Sequence, residues 1–221
     1  MELIEIMDLW KSYGENVILR GLNLTVREGE FIAVRGKSGV GKTTLLKIIG
    51  LLEDPDRGEV KVLGQKANGL SDDEKSKIRL NSIGFVFQFF NLIPSLTVLE
   101  NIELPLALAG KGKNERRRRA YQLLKHFSLT DLAERFPETL SGGERQRIAI
   151  IRALANSPRI ILADEPTSSL DDDNSQLVTN LLTDINRTEK VTIILTTTDL
   201  YEKLPVHRDY ILREGRLAGA F

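Results

Sequence analysis

Residues 36–43 are Gly36-Lys37-Ser38-Gly39-Val40-Gly41-Lys42-Thr43, and they match the pattern G-x-x-x-x-G-K-[ST] of a phosphate-binding loop. The apolar run 31–34 precedes this loop and is short enough to be a buried strand. Residues 44–52 follow it and are apolar at six positions, which predicts a helix that is buried on most sides. Strand, glycine loop and helix therefore occur in the order that the motif requires.

The residue types in this loop suit phosphate. Its glycines let the backbone curl so that successive N–H groups face one concavity, and the following helix adds unpaired N–H groups and the positive end of its dipole. The Lys42 ammonium is expected to reach the β- and γ-phosphates of a nucleotide, and the Thr43 hydroxyl to bind Mg²⁺. The residues predicted to hold the phosphates are Gly36, Ser38, Gly39, Gly41, Lys42, Thr43 and Thr44.

Charge and composition narrow the class of protein. The 221 residues contain 31 lysines plus arginines and 31 aspartates plus glutamates, so no excess of positive charge predicts a nucleic-acid partner. The absence of cysteine excludes disulfides and thiolate ligands and fits a reducing cytosol. The acidic start of the sequence lacks the features of a signal peptide, and no apolar run approaches the ~18 residues that span a bilayer. We expect a soluble protein whose role at a membrane depends on a partner.

Alternating residues near the N-terminus predict an antiparallel patch. Apolar residues at 22, 24 and 26 alternate with polar residues at 23 and 25, which is typical of a half-buried strand. Residues 58–64 show the same alternation between two glycines. We expect residues 3–26 to form short strands and turns that pair with this second segment. Tyr13 lies in the first segment, where its ring either fills a sheet edge or stacks on a nucleotide base.

The region from Gln88 to about residue 158 has helical periodicity. It follows a buried-strand candidate at 83–87 that ends at Gln88. Asn114 is a favourable N-cap, and apolar residues at 120, 123, 124 and 127 fall on one helical face. The basic run 116–119 is interpreted as a solvated helix face rather than a nucleic-acid patch, because the chain as a whole is neutral.

A second helix start suited to an anion lies more than 100 residues further along the chain. Leu140-Ser141-Gly142-Gly143-Glu144 precedes a helix whose apolar residues at 148, 151, 154 and 155 share a stripe. A Ser-Gly-Gly turn at a helix N-terminus can receive a phosphate. One chain thus carries two separate predicted anion sites.

Acidic residues follow the apolar strand predicted at 159–163. Asp164 and Glu165 would lie at the carboxyl end of a parallel strand, where ligands bind in open α/β sheets. Asp164 is predicted to hold Mg²⁺ through water, and Glu165 to polarise an attacking water. The alternative is a structural role for the pair, such as capping the next turn. Further on, we predict a helix that begins with three aspartates at 171–173. Its buried face is expected to contain the apolar residues at 177, 178, 181, 182 and 185. A strand at 191–195 and a hairpin at 211–217 are predicted after it.

This order of motifs resembles the ATP-binding-cassette (ABC) ATPases over essentially the whole chain. The phosphate loop is followed by Gln88 after a strand, the family signature at 140–144, the Asp164-Glu165 pair and the Ser169-Leu170-Asp171 loop. The resemblance implies an α/β fold: a P-loop NTPase core with a mostly parallel sheet, an N-terminal antiparallel β patch and an inserted α-helical lobe. It implies that residues 1–88 and 157–221 form the core with the patch, and that residues 89–156 form the helical subdomain.

The resemblance also explains two anion sites in one chain. In this family two subunits pair head to tail, and each ATP lies between one subunit's phosphate loop and the other's signature helix. Gln88 would bind Mg²⁺ and report the γ-phosphate to the helical lobe, which grips an integral membrane transporter subunit at the cytoplasmic face. Whether the second ATPase subunit is identical or different stays open. The further nucleotide contacts that the resemblance implies are Tyr13, Ser141, Gly142, Gly143, Glu144 and Asp171.

Within the family, segments 88–94 and 99–106 resemble the lipoprotein-release and macrolide-export branch, with the cell-division branch nearby.

One position departs from the family pattern. A histidine that contacts the γ-phosphate usually precedes the Asp at the end of the last core strand, and this chain has Thr198 there. A threonine hydroxyl donates one hydrogen bond and carries no charge. We expect ATP binding and dimer closure with slow hydrolysis, or the weaker site of a heterodimer.

Three functions are compared on this basis. The first is the ATPase subunit of a transporter that exports a substrate or extracts a lipid-anchored one. The second is a nucleotide-gated regulatory module, in which ATP-dependent pairing is the output and hydrolysis resets it. The third, a chromosome- or repair-associated ATPase, requires a long coiled-coil insertion, and residues 44–139 contain no sustained heptad pattern.

Overall fold

A computed structural model describes residues 1–219 of the chain, which form two β-sheets and six α-helices within that range. The strands are β1 Glu2–Tyr13, β2 Asn16–Arg27, β3 Phe31–Arg35, β4 Arg57–Val62, β5 Gln65–Lys66, β6 Ile83–Val86, β7 Ile160–Asp164, β8 Thr192–Thr197, β9 Arg208–Arg213 and β10 Arg216–Gly219. The helices are α1 Lys42–Ile49, α2 Asp72–Ser82, α3 Val98–Leu108, α4 Lys113–His126, α5 Gly142–Ala153 and α6 Asp172–Glu189.

The first sheet is antiparallel, with the strand order β2-β1-β4-β5. It confirms the predicted pairing of the N-terminal segment with the segment around residue 60. The expectation of short strands was wrong, because β1 and β2 are each 12 residues long. Register shifts interrupt their pairing at several points, among them the stretch from Ile6 to Leu9. Such bulges let one strand continue past a break in the apolar alternation.

The second sheet is mostly parallel, with the order β10-β9-β3-β8-β7-β6. Strand β8 lies between β3 and β7, and its register pairs Arg35 with Thr197 and Asp164 with Thr196. The phosphate loop and the acidic pair therefore leave the sheet at the same edge, on either side of β8. This edge collects the chemistry because the carboxyl ends of parallel strands all lie there.

The parallel sheet separates two apolar clusters. Alternate residues of a strand face opposite sides, so Ile193 packs with helices α3 to α6 while Ile194 packs with α1 and the first sheet. The two layers enclose both faces of β3, all five residues of which are buried. Helix α1 is thus held between the two sheets, and its N-terminus is directed at the edge that carries the acidic pair.

Two local expectations were wrong. Helix α4 begins at Lys113 with Gly112 as its N-cap, so Asn114 lies inside the first turn. The chain is already extended at Gly112, with φ −65° and ψ 153°, and enters the helix from there. Leu177 is 48% exposed because the buried stripe of α6 runs through Val178 and Leu182, one position further round the helix. Among residues 1–219, no helix has the length and apolar composition that crossing a bilayer would require.

Candidate active site

The phosphate loop is packed so closely that two of its glycines have no room for a side chain. A Cβ on Gly36 would lie 2.7 Å from the Leu212 carbonyl oxygen, and a Cβ on Gly41 would lie 2.7 Å from Ile18 Cγ2. Gly41 also has φ 111°, a left-handed conformation that glycine adopts without strain. The neighbouring strands thus force the loop into a tight curve in front of α1.

The backbone N–H groups of this curve are available to a ligand. Within residues 1–219, they donate to no protein acceptor at positions 38, 39 and 41–44. These positions include Ser38, Gly39 and the first turn of α1, where Thr44 lies. Successive N–H groups that converge at a helix N-terminus form a cradle for anionic oxygen. The observed backbone fits a phosphate group at the place that the sequence predicts.

Lys42 connects this cradle to the acidic pair. Its ammonium Nζ lies 3.0 Å from Glu165 Oε1 and donates to the carbonyl oxygens of Gly36, at 2.8 Å, and Lys37, at 3.1 Å. The Lys42 side chain is only 3% exposed. The cation is therefore held at the mouth of the loop by oxygen atoms that a phosphate would replace.

Thr43 and Asp164 form the second contact across the site. The Thr43 hydroxyl donates to Asp164 Oδ2 at 2.7 Å, and the Thr196 hydroxyl donates to Asp164 Oδ1 at 2.7 Å. Thr43 is exposed and Asp164 half-buried, so both oxygen atoms face a region that solvent reaches. Within residues 1–219, no group of three or more His, Cys, Asp or Glu could form an all-protein metal cage. A hydroxyl and one carboxylate fit Mg²⁺ instead, since this ion takes few protein ligands and completes its shell with phosphate and water.

Glu165 has an unusual backbone. Its φ is 46°, in the left-handed region that side chains other than glycine rarely occupy. Its N–H donates to both the carbonyl oxygen and the hydroxyl of Thr196, each at 3.1 Å. This turn bends the chain away from strand β7 and brings the Glu165 carboxylate to Lys42.

Gln88 lies just past β6, in a loop that is hydrogen-bonded to the segment before α6. Its carbonyl oxygen accepts a hydrogen bond from Ser169 Oγ at 3.4 Å. The preceding carbonyl, of Phe87, accepts from Gln146 Nε2 of α5 at 3.5 Å. The Gln88 side chain makes no hydrogen bond to Thr43 or Asp164 among the residues that the structure describes. Its role as a metal ligand stays a prediction.

The signature turn is a self-contained helix cap. Ser141 and Glu144 form a reciprocal pair: the Glu144 N–H donates to Ser141 Oγ at 3.2 Å, and the Ser141 N–H donates to Glu144 Oε2 at 2.7 Å. The backbone N–H of Ser141 lowers the pKa of the Glu144 carboxyl. No hydrogen bond in the described range joins this turn to the phosphate loop of the same chain.

The signature turn contacts the start of α6. A Cβ on Gly143 would lie 1.9 Å from Asn174 Oδ1, whereas one on Gly142 would only touch Leu170 Cδ2 at 3.4 Å. Asp171 is the N-cap of α6, and its Oδ1 accepts from the Asn174 N–H at 2.8 Å, which lowers the pKa of this carboxyl. Gly142 therefore packs on the loop that ends at Asp171, and Gly143 packs on the first turn of α6.

Tyr13 lies at the exposed end of β1 and is 45% exposed. Its hydroxyl donates to Glu53, whose other oxygen pairs with Lys47 Nζ at 3.0 Å. Burial alone would raise the pKa of Glu53, but the hydrogen bonds from Tyr13 and Lys47 outweigh it and lower this pKa. Lys11 Nζ also lies 5.6 Å from the centroid of the Tyr13 ring. The geometry leaves both sequence-based interpretations of this ring open.

Thr198 follows β8 directly and is exposed. The segment after it is anchored by Arg35, a buried cation that donates to the carbonyl oxygens of Asp199 and Glu202, each at 2.7 Å. Arg35 Nε also pairs with Asp209 at 2.8 Å. Thr198 thus lies at the edge that carries the acidic pair, without a hydrogen bond to Glu165 or Lys42 in the described chain.

The structure brings four predicted residues into direct contact: Lys42, Thr43, Asp164 and Glu165. Two contributors to this edge, Thr196 and Arg35, were missed by sequence reasoning. Arg35 ends an otherwise apolar strand, and Thr196 begins the two polar residues that follow the apolar part of β8. This change from apolar to polar is the signal that could have identified them.

Comparison with known proteins agrees with this geometry. The ABC transporter family profile matches residues 19–168. The ATP-binding protein MJ0796 of Methanocaldococcus jannaschii, an uncharacterized ABC transporter protein, is 46% identical and covers 97% of this chain and 95% of its own length. The lipoprotein-releasing system ATP-binding protein LolD of Zymomonas mobilis is 40% identical over 97% of this chain and 94% of its own length.

Some relatives are much longer than this chain. The macrolide export ATP-binding/permease protein MacB of Chlorobium phaeobacteroides is 44% identical over 88% of this chain, which spans 30% of that protein. The solved dimeric structure of MJ0796 in a post-hydrolysis state, bound to ADP and Pi, has a TM-score of 0.87 and covers 97% of this chain and 96% of that one. The expected resemblance to the lipoprotein-release and macrolide-export branch is confirmed. The family profile spans more than half of the residues, and two relatives are 40% and 46% identical over 97% of the chain. The chain therefore belongs to the ABC transporter family.

Proposed function

We propose that this chain binds ATP with Mg²⁺, hydrolyses it, and so drives a membrane permease of the export or lipoprotein-release type. The observation that carries the proposal is the contact of Lys42 with Glu165 and of Thr43 with Asp164 around the cradle of N–H groups. LolD, a relative that this chain covers almost end to end, is named for lipoprotein release, which supports the choice of branch.

The residues divide the chemistry among them. Bound Mg²⁺ would neutralise charge that develops on the phosphate oxygens, and Thr43 and Asp164 would hold it. Lys42 exchanges its oxygen partners in the loop for phosphate oxygens, which releases the Glu165 carboxylate. Glu165 then accepts a proton from the attacking water. Gln88 links this site to the helical lobe, for which we propose residues 89–156, with 1–88 and 157–221 as the catalytic core.

The separation of the two anion sites supports pairing of two subunits. Within residues 1–219 the signature turn makes no hydrogen bond to its own phosphate loop, and its cap is internal. A second subunit would therefore supply Ser141 to the nucleotide of the first. The solved structures of MJ0796 are dimeric, which agrees with this arrangement. A ligand that binds only the closed pair stabilises it, so ATP acts as part of the interface. We place the pair on the cytoplasmic face of the membrane, held there by the permease.

A second candidate is a nucleotide-gated regulatory module with slow hydrolysis. The observation that favours it is Thr198, an exposed neutral side chain at a position where the family usually has histidine. In that case ATP-dependent pairing is the output, and turnover only resets it.

The experiment that tests the proposal measures ATP turnover and nucleotide binding of the purified chain, alone and with the membrane subunit that co-purifies with it. We expect Mg²⁺-dependent ATP binding and a turnover that the membrane subunit stimulates. A Lys42→Ala variant is the control, because it removes the cation at the loop while the two sheets stay intact. ATP binding without stimulated turnover would favour the regulatory module. Failure of the wild-type chain to bind ATP would overturn both candidates.

A further inference from the structure

We infer that Thr196 is a positioning residue, whose buried hydroxyl orients the metal-binding carboxylate and the catalytic glutamate at the same time. This inference rests on the proposed function, since it concerns the same site. Thr196 lies at the end of β8, in register with Asp164 on the neighbouring strand β7.

The hydroxyl of Thr196 has both of its hydrogen-bonding capacities engaged. It donates to Asp164 Oδ1 at 2.7 Å and accepts from the Glu165 N–H at 3.1 Å. The residue is completely buried, so water does not compete for either bond. A threonine side chain is branched at Cβ and has few rotamers in a strand. The hydroxyl is consequently locked in one direction by its own backbone and by two partners.

This arrangement determines which way the Asp164 carboxylate faces. The Thr196 hydroxyl donates to Asp164 Oδ1 from the buried side, and the Thr43 hydroxyl donates to Asp164 Oδ2 from the solvent-exposed side. With Oδ1 engaged inside the protein, Oδ2 is directed at the Thr43 hydroxyl, the other proposed Mg²⁺ ligand. Without Thr196 the carboxylate could rotate about its terminal bond, because that torsion is broad in aspartate. Such rotation would weaken metal binding even though every ligand is still present.

The same hydroxyl supports the unusual backbone of Glu165. A left-handed backbone is unfavourable for residues other than glycine, and the Glu165 N–H stabilises it by donating to both oxygens of Thr196. The direction of the Glu165 side chain follows from that backbone turn. The single side chain of Thr196 therefore fixes the orientations of the Glu165 and Asp164 carboxylates together.

The test uses Thr196→Val, which replaces the hydroxyl by a methyl group of similar size. The readout is the affinity of Mn²⁺ for the complex of the full chain with ADP, measured by electron paramagnetic resonance, because it needs no turnover. We expect Mn²⁺ to bind about tenfold more weakly, in line with loss of a hydrogen bond to a charged group. ADP affinity without metal should stay within about twofold of wild type. In ATP turnover, kcat should fall while KM for ATP changes little, and Thr196→Ser should restore most of both properties.

Thr192→Val is the matched control. Thr192 is also completely buried, lies on the same face of β8, and accepts one hydrogen bond from the Gly29 N–H at 2.8 Å, far from the acidic pair. We expect this variant to lose stability and to keep wild-type Mn²⁺ affinity. Wild-type Mn²⁺ affinity in Thr196→Val, or equal weakening in Thr192→Val, would overturn the inference. If the wild-type chain binds Mn²⁺ and ADP but never hydrolyses ATP, the proposed hydrolysis fails, and the Mn²⁺ comparison still decides the role of Thr196.

Discussion

Lys42 Nζ lies 3.0 Å from Glu165 Oε1, so the cation expected to bind phosphate and the carboxylate expected to accept a proton are paired with each other. The pair closes the mouth of the phosphate loop, since the ammonium also donates to the carbonyl oxygens of Gly36 and Lys37. In the proposed function, phosphate oxygens of the nucleotide would replace these partners of Lys42. That exchange would free the Glu165 carboxylate for the attacking water.

Glu165→Gln should keep ATP binding and abolish turnover. The amide removes the charge that holds Lys42, so ATP affinity should stay equal or rise a few-fold, while loss of the general base should lower kcat by about 10²–10⁴-fold. Because ATP stays intact, the closed pair of subunits should accumulate, which light scattering coupled to size exclusion can measure. Glu138→Gln, a change at an exposed glutamate outside the site, is the control. A monomer in excess ATP would contradict the proposed pairing.

Thr198→His should raise turnover. The exposed Thr198 hydroxyl offers one neutral donor, whereas a histidine side chain is longer and can carry charge toward the γ-phosphate. Restoring a transition-state donor of this kind is expected to increase kcat by up to about 10²-fold. Steady-state ATP turnover with saturating Mg²⁺ is the measurement. An unchanged kcat, with ATP binding intact, would show that Thr198 does not limit hydrolysis.

Gly143→Ala should destabilise the fold, and Gly142→Ala should not. A Cβ at 143 would lie 1.9 Å from Asn174 Oδ1, so Asn174 has to turn away and give up its side-chain bonds to the Asp171 carboxylate. We expect a loss of about 1–2 kcal/mol of unfolding free energy. At 142 the new methyl would meet Leu170 at 3.4 Å, an ordinary contact. Urea denaturation of both variants decides the point, and equal stabilities would refute it.

Glu144 should contribute to stability only above acidic pH. Its pKa is lowered in the folded protein because the Ser141 N–H donates to the carboxylate, so its contribution is fully present above the ordinary pKa of 4.5. This contribution is lost as the pH falls from 4.5 through the lowered folded value. Glu144→Gln can still accept that bond but does not titrate. The difference in unfolding free energy between wild type and this variant should therefore shrink on acidification below about pH 4.5, and a constant difference would contradict the assignment.

Local sequence was enough to predict several elements of the site. The G-x-x-x-x-G-K-[ST] loop, the apolar strand before it and the helix after it were all predicted, and the structure contains all three. The helix spans Lys42–Ile49 and not 44–52, because Gly50 ends it, and Leu52 is exposed. The start of a helix after the signature turn was also predicted, and the structure adds that Ser141 and Glu144 form a reciprocal cap there. The mostly parallel sheet was implied by the resemblance of the motif order to the ABC ATPases, and the structure confirms it.

Other features escaped prediction because their partners are remote in sequence. The start of α4 is an exception with a local cause: Asn114 is a good N-cap by type, but the extended backbone of Gly112 places the start two residues earlier. Thr196 follows the strand predicted at 191–195, and only the order β3-β8-β7 shows that it belongs to β8 and lies beside Asp164. The charged Arg35 at the end of β3 is explained only by its hydrogen-bond acceptors, which belong to residues 199, 202 and 209.

The amino-acid sequence by itself predicted the phosphate loop, the acidic pair, the signature turn and the family, because each is carried by short motifs whose order along the chain can be read directly. Only the tertiary structure decided that Lys42 pairs with Glu165, that Asp164 accepts from both Thr43 and Thr196, and that a Cβ at position 143 would meet Asn174. The physical reason is that hydrogen bonds and steric contacts act over about 3 Å, and residues more than 30 positions apart reach that distance only after the strands have paired.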